Sequence, residues 1–268
     1  MEKQEVKTAF VGGGAMAEAM IRCLLAKKVT APGNMVVSDI SPLRRELLSR
    51  EYGVRALPDN REGVRNAGLI ILAVKPQNLH EVMDEIKGLG REQLVLSIVA
   101  GATVASLCRG LDHPTVIRAM PNMPAQIGEG MTVWTASAEA KARHKKLAQI
   151  LLGALGKEVY VADEKYLGMA TALSSSGPAY VFLFIEALID AGVHIGLPRD
   201  MARELVIQTV VGSTRTVEKT GRHPADLRNM VTSPGGTTTE ALFELEKGGF
   251  RSLLLEAVAA AYKKAESL

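Results

Sequence analysis

The 268-residue chain is poor in cysteine, with only Cys23 and Cys108, which lie far apart and without metal-ligand spacing. That argues against a disulfide framework or a structural metal site and points to a reduced, cytoplasmic setting. An excess of charge is also missing. The net charge of +3 is evenly spread, which speaks against nucleic acid or a membrane surface as partner. Met1–Gln4 is charged and strand-like sequence follows at once, leaving no room for a signal peptide. The most apolar run, Ala179 to Leu197, is interrupted by Glu186, Asp190 and His194, so it is not read as a membrane span. Repeats, low-complexity segments, a His-Glu-x-x-His pattern and paired carboxylates in a glycine-rich setting do not occur. His80, His113, His144, His194 and His223 are scattered and read as surface or packing residues. What remains is an ordinary composition, 47% apolar and 23% charged, for one large or two small domains with a substantial core.

The first half alternates strand and helix patterns. Val6 to Val11 reads as a short buried strand, followed directly by Gly12-Gly13-Gly14-Ala15-Met16-Ala17 and a helical pattern from Glu18 to about Lys28. This is G-x-G-x-x-A between strand and helix, where the glycines permit the turn and let the backbone approach a pyrophosphate. The alternative is a glycine turn without a ligand. Met35 to Ser38 predicts a second strand ending at Asp39, where an acid takes a ribose 2′-hydroxyl and favours NAD. Arg44 and Arg45 follow within a turn and either hold a 2′-phosphate or lie on a solvated helix face. These residues leave NADH against NADPH open. Leu69 to Val74, Gln93 to Val99 and Thr115 to Ala119 are apolar without alternation, the mark of strands covered on both faces. They run into Lys75-Pro76, Ala100-Gly101 and Met120-Pro121-Asn122-Met123-Pro124, where ligands sit on an open α/β sheet. Further strands are expected at Gly130 to Thr135 and Glu158 to Val161, around a helix from Ala138 to Leu152. The prediction is a Rossmann-like doubly wound sheet over residues 1–163.

Residues 164–268 predict an all-α second domain, with helices near 164–173, 178–195, 199–220, 224–230, 238–247 and 250–266. Tyr180 to Ile195 is apolar nearly all round and must be buried on every side, for which one thin helical layer lacks the core. An intertwined dimer built from this half answers that need. Between two of the helices, Ser233-Pro234-Gly235-Gly236-Thr237-Thr238 breaks the pattern and then opens a new helix. A helix N-terminus behind glycines suits a small carboxylate or phosphate, and a capped helix–helix turn is the bland alternative. The absence of acid–base machinery fits reduction of a C=N bond by a nicotinamide cofactor better than oxidation of an alcohol.

With these residues assembled, the chain resembles the pyrroline-5-carboxylate reductases over essentially its whole length. The resemblance rests on Phe10 to Met16, Ala73-Val74-Lys75-Pro76, Arg118 to Pro124, Ser176-Gly177-Pro178-Ala179-Tyr180, and His223-Pro224 through Leu242. Within the last stretch, Ser233 to Thr238 is the most specific signature. The resemblance implies reduction of 1-pyrroline-5-carboxylate to L-proline with NADPH or NADH. It places cofactor contacts at Gly12, Gly13, Gly14, Ala15, Met16, Ser38, Asn60, Ala73, Val74, Lys75, Pro76, Ala100 and Gly101, and no metal. It places the substrate at Ser233, Gly235, Gly236, Thr237 and Thr238, with the Thr238 hydroxyl near the imine nitrogen. It further implies a homodimer through the helical domain, assembled in some members into a decamer. Family members often read Gly-Ser-Gly before Pro-Ala-Tyr where this chain has Ser174-Ser175-Ser176-Gly177, and Asp39 sits uneasily with an NADPH preference.

Two rival readings are weighed against this one. The nearer is a hydroxyacid dehydrogenase or general imine reductase, which shares a Rossmann domain plus helices; hydroxyacid dehydrogenases carry a Lys in the helical half with an Asn four residues on, and no lysine after Asp163 has that partner. A non-catalytic dinucleotide-binding regulator would not need the Ser233–Thr238 turn.

Overall fold

The computed structural model describes residues 6–267; the charged Met1–Gln4 lies outside them. Eight strands form one sheet in the order β3-β2-β1-β4-β5-β6-β7-β8. They are β1 (Thr8–Val11), β2 (Met35–Ser38), β3 (Arg55–Leu57), β4 (Leu69–Leu72), β5 (Leu94–Ser97), β6 (Val116–Pro121), β7 (Gly130–Ala136) and β8 (Gly156–Tyr160). Helices α1 (Ala15–Ala26), α2 (Pro42–Tyr52), α3 (Asn60–Val64), α4 (Leu79–Glu85), α5 (Val104–Leu111) and α6 (Ala142–Gly153) connect them. β1 and β4, adjacent and parallel, are where the winding reverses. The carboxyl ends of strands at such a point form the ligand crevice of a doubly wound sheet.

Strands without alternation imply two covered faces, and the structure has a core on each. Phe10, Leu69, Ile71, Leu94 and Leu96 pack on one side, and Ala9, Val11, Ile70, Leu72 and Val95 on the other. Two features depart from the expected sheet. β3 was not legible, because its three residues are exposed or half-buried and lack an apolar run. β7 runs antiparallel to β6, since only a short turn through Met123–Ile127 joins them and no crossover helix intervenes.

The helical half contains α7 (Lys165–Ala170), a π-turn at Thr171–Ser175, α8 (Gly177–His194), α9 (Arg199–Thr220), α10 (Pro224–Met230), α11 (Thr237–Lys247) and α12 (Phe250–Glu266). Compact units comprise Met1–Ser176 with Ala261–Leu268, and Gly177–Ala260. The first unit therefore reaches past residue 163, because Leu167 and Ala172 are buried in it. In the second unit α8 and α9 approach closely at Gly192, where an added Cβ would stand 3.0 Å from that of Ala202. Among the described residues 177–260, Ala202 alone is buried. Lys165–His194 is long and apolar enough to cross a membrane, and only 6% of its most apolar window is covered within the chain. The burial that the sequence demands for this helix is not met inside one chain.

Candidate active site

The glycine loop closes β1 onto α1, and each of its three glycines answers a different constraint. Gly12 adopts φ +96° and donates its N–H to the Ser38 carbonyl at 2.8 Å; a Cβ there would lie 2.7 Å from the Ala73 carbonyl oxygen. Gly13 packs against Leu48 and Asp39. Gly14 faces open space, with nothing within 4 Å of the point where a Cβ would stand, and caps α1 without a side-chain bond. The first N–H groups of a helix have no partner within it, so the start of α1 at Ala15 and Met16 offers donors and a positive dipole end to an anion. A pyrophosphate fits there.

The β2 end shapes the same loop. Asp39 accepts the Gly13 N–H at 2.7 Å on one carboxylate oxygen and the Ser41 N–H at 2.8 Å on the other. Arg44 holds the other side of the same residue, on the next peptide, donating through Nε and Nη2 to the Gly13 carbonyl at 2.8 and 2.6 Å. Its Nη2 also pairs with Glu18 at 2.7 Å, and Tyr52 donates to the other Glu18 oxygen at 2.9 Å. Burial pushes the Glu18 carboxyl up, but the bonds from Arg44 and Tyr52 outweigh it and hold it below the ordinary range. Arg45 donates to the main-chain carbonyls of Asp39 and Ile40 at 2.7 and 3.0 Å. Neither arginine is therefore a solvated bystander. Ser38 is buried, with its hydroxyl on the Phe10 carbonyl, so Asp39 and not Ser38 meets the crevice. Asn60 donates its amide to Glu85 at 2.6 Å.

Ala73 and Val74 leave β4 half-buried, and Lys75 and Pro76 are exposed on the same edge. Gly101, with φ +77°, turns the chain beyond β5 beside Arg118. Arg118, on β6, pairs with Glu164 at 2.7 Å, and the same Glu164 oxygen accepts the Val104 N–H that opens α5. A crevice of about 350 Å³ lies here, lined by Gly101, Arg118, Glu164 and Tyr262. A larger one, about 510 Å³ and lined by Arg61, Arg65 and Arg91, involves none of the glycine loop. Chemistry, not volume, selects the carboxyl edge.

In the second unit, the Ser233–Thr238 turn has the form of an anion cradle. Gly235 takes φ +69°, which a side-chain-bearing residue adopts only under strain. Gly236 caps α11 without a side-chain bond, and an added Cβ would collide with the Ser233 hydroxyl. The approach is thus kept clear at Gly235, whereas a side chain at Gly236 would displace the Ser233 hydroxyl. Thr239 sends its hydroxyl back to the Ser233 carbonyl at 2.7 Å and its N–H to the Gly236 carbonyl at 3.1 Å. That leaves the N–H groups of Thr237 and Thr238 at the helix start, and the half-buried Thr238 hydroxyl, without a partner among the described residues.

A family profile described as pyrroline-5-carboxylate reductase dimerisation matches residues 164–268, and one described as NADP oxidoreductase, coenzyme F420-dependent, matches residues 7–101. The chain is 42% identical to the pyrroline-5-carboxylate reductase of Synechocystis sp., over 98% of both chains. It belongs to the pyrroline-5-carboxylate reductase family. Solved structures extend the likeness to the whole fold of the family. The pyrroline-5-carboxylate reductase of Coxiella burnetii superposes with a TM-score of 0.90 at 35% identity, over 98% of each chain. The pyrroline carboxylate reductase of Plasmodium falciparum, solved with NADP bound, gives 0.90 at 31% identity, covering 98% of this chain and 97% of that one.

Sequence reasoning located the family's glycine loop and Ser-Pro-Gly-Gly turn but missed the groups that hold them. The Asp39–Gly13–Arg44 clamp joins residues 26 to 31 positions apart, and no local pattern marks it. The Arg118–Glu164 pair is farther apart still. Asn122 had a signal, its place between two prolines on the ligand edge, but nothing in the sequence names its partners.

Proposed function

We propose that the protein reduces the C=N bond of 1-pyrroline-5-carboxylate to L-proline at the expense of NADPH or NADH. A bound reduced nicotinamide supplies the hydride, so the chain's own residues have to bind, orient and handle one proton. The N–H groups of Thr237 and Thr238 hold the substrate carboxylate at the positive end of α11. Thr238 Oγ1 hydrogen-bonds the imine nitrogen and guides the proton it gains as hydride adds to the neighbouring carbon. Ala15 and Met16 at the start of α1 hold the pyrophosphate, with Gly14 leaving room. Ala73 to Pro76 and Ala100-Gly101 line the crevice beyond. The observation that carries this reading is the Ser233–Thr238 turn, whose geometry leaves donors unspent where a small carboxylate fits.

Cofactor oxidation measured with pyrroline-5-carboxylate, beside pyrroline-2-carboxylate and a 2-keto acid, tests it. Turnover confined to pyrroline-5-carboxylate is expected; turnover of the keto acid alone would assign the chain a different reduction.

The working form is a cytoplasmic homodimer formed through the helical half, with a decamer as its higher assembly and no nucleic-acid or membrane partner. The dimerisation profile over 164–268 and the uncovered apolar face of α8 support the dimer. Glu186 and Asp190, the latter paired with Arg199 of α9, put charge on that helix and favour a protein partner over lipid.

A further inference from the structure

At Ser174–Pro178 the polypeptide makes two departures from helical bonding. Thr171–Ser175 is a π-turn, closed by the Ser176 N–H on the Thr171 carbonyl at 2.9 Å. Such turns concentrate at functional sites. Three residues on, Pro178 has no N–H, so the Ser174 carbonyl loses the donor that an α-helix would supply four residues later. Asn122 takes that place. Its Nδ2 donates to the Ser174 carbonyl at 3.2 Å and reaches the Ser174 hydroxyl at 3.4 Å, while its Oδ1 accepts the Met131 N–H at 2.8 Å. Ser175 adds a longer bond from its hydroxyl to the Pro121 carbonyl at 3.5 Å. One side chain therefore ties the end of β6, the start of β7 and the serine-rich turn together.

The place matters. Asp39 marks the adenosine side of the crevice, just past β2; the β6 end lies across the switch point, three strands from β1. That is the side on which the nicotinamide half of a dinucleotide lies. We infer that Asn122 is a positioning residue, holding the Ser174–Ser176 turn as a fixed wall beside the nicotinamide end of the cofactor crevice. The inference rests on the reductase reading above. Hydride transfer tolerates little misplacement, since reacting atoms must sit about 3–3.5 Å apart. Loosening this wall should cost turnover while leaving the pyrophosphate grip at α1 untouched.

The test uses N122A, N122D and the double variant N122A/P178A in the full-length protein. Asp at 122 keeps the acceptor for Met131 and loses the donor to Ser174. Ala at 178 supplies an N–H to the Ser174 carbonyl within the helix. Melting temperature, Kd for the reduced cofactor by fluorescence, and kcat and KM with pyrroline-5-carboxylate are measured for each. A fall in kcat of about tenfold or more in both single variants is expected, with cofactor Kd within about twofold of wild type. The double variant should regain melting temperature but not kcat. Wild-type kcat in N122D, or full recovery of kcat in N122A/P178A, would overturn the inference, reducing Asn122 to a partner for an orphaned carbonyl. If N122A fails to fold, N122D decides alone. Failure of the wild-type chain to reduce the imine would instead sink the functional reading.

Discussion

At the residue scale, three side chains carry separable predictions. Asp39 presents a carboxylate at the end of β2, the position at which a doubly wound sheet reads the ribose, and it cannot swing away, since both oxygens hold main-chain N–H groups. The nearby cations do little to offset it, because Arg44 is spent on Gly13 and Glu18 and Arg45 on main-chain carbonyls. Asp39→Ser should therefore shift the ratio of NADPH to NADH affinity toward NADPH by about tenfold, or ~1.4 kcal/mol. Arg44→Ala should weaken both cofactors alike by freeing the Gly13 peptide. Titrations that show Arg44→Ala hurting NADPH alone would reassign that arginine to the 2′-phosphate. Thr238 is tested differently. Thr239, not Thr238, sends its hydroxyl back into the turn, so Thr238→Ala should leave the melting temperature nearly unchanged. Its kcat/KM should fall about tenfold to a few hundredfold, and Thr238→Ser should recover most of it. An alanine variant with full activity would remove the hydroxyl from the chemistry.

At the element scale, the helix starts differ in their caps, and α4, α7 and α9 also begin without a side-chain cap. α2 and α5 are capped by Ser41 and Thr103, which accept the Arg44 and Ser106 N–H groups. α1 and α11 begin at glycines with no side-chain cap, and those are the two helices assigned to ligands. α6 starts in another way: the Lys141 N–H donates to His144 Nδ1 at 3.2 Å. Burial, and then the Arg143 guanidinium, lower the pKa of His144 from its ordinary value. A base whose folded pKa is lowered contributes stability that is fully present above its unfolded value and is lost as pH falls through the folded one. The wild-type melting temperature should thus drop as pH falls below about 6.5, and His144→Gln, which keeps an acceptor at this position, should flatten that part of the profile. An identical slope in the glutamine variant would place the responsible group elsewhere.

At the scale of the whole molecule, the helical unit poses a burial problem. Phe182 is 51% and Leu183 67% exposed within a single chain, on a helix whose sequence is apolar nearly all round. Surface substitutions away from special features usually change stability by less than about 0.5 kcal/mol, so Leu183→Glu would be nearly neutral in a monomer. On a dimer face it buries an unpaired charge and should dissociate the assembly. Light scattering on the full-length variant should show a monomer; a dimer of unchanged stability would move the interface off α8.

Much of this architecture was determined by the sequence alone, because its signals are local. Apolar runs without alternation specify doubly covered strands, Gly12 to Gly14 between strand and helix specify a phosphate turn, and Ser233 to Thr238 interrupts helical periodicity within a few residues. The candidate site residues lie on such turns, which is why the sequence could propose them. Tertiary structure alone decided the rest, where the determining bond joins distant residues or where burial is not periodic. β3 takes its place by pairing with β2, and β7 is reversed by the shortness of its connection. Whether Arg44 faces solvent, a phosphate or Gly13 depends on a loop 31 residues away. Asn122 acquires its role only once β6 ends beside a carbonyl that Pro178 cannot serve, a coincidence of two segments 52 residues apart.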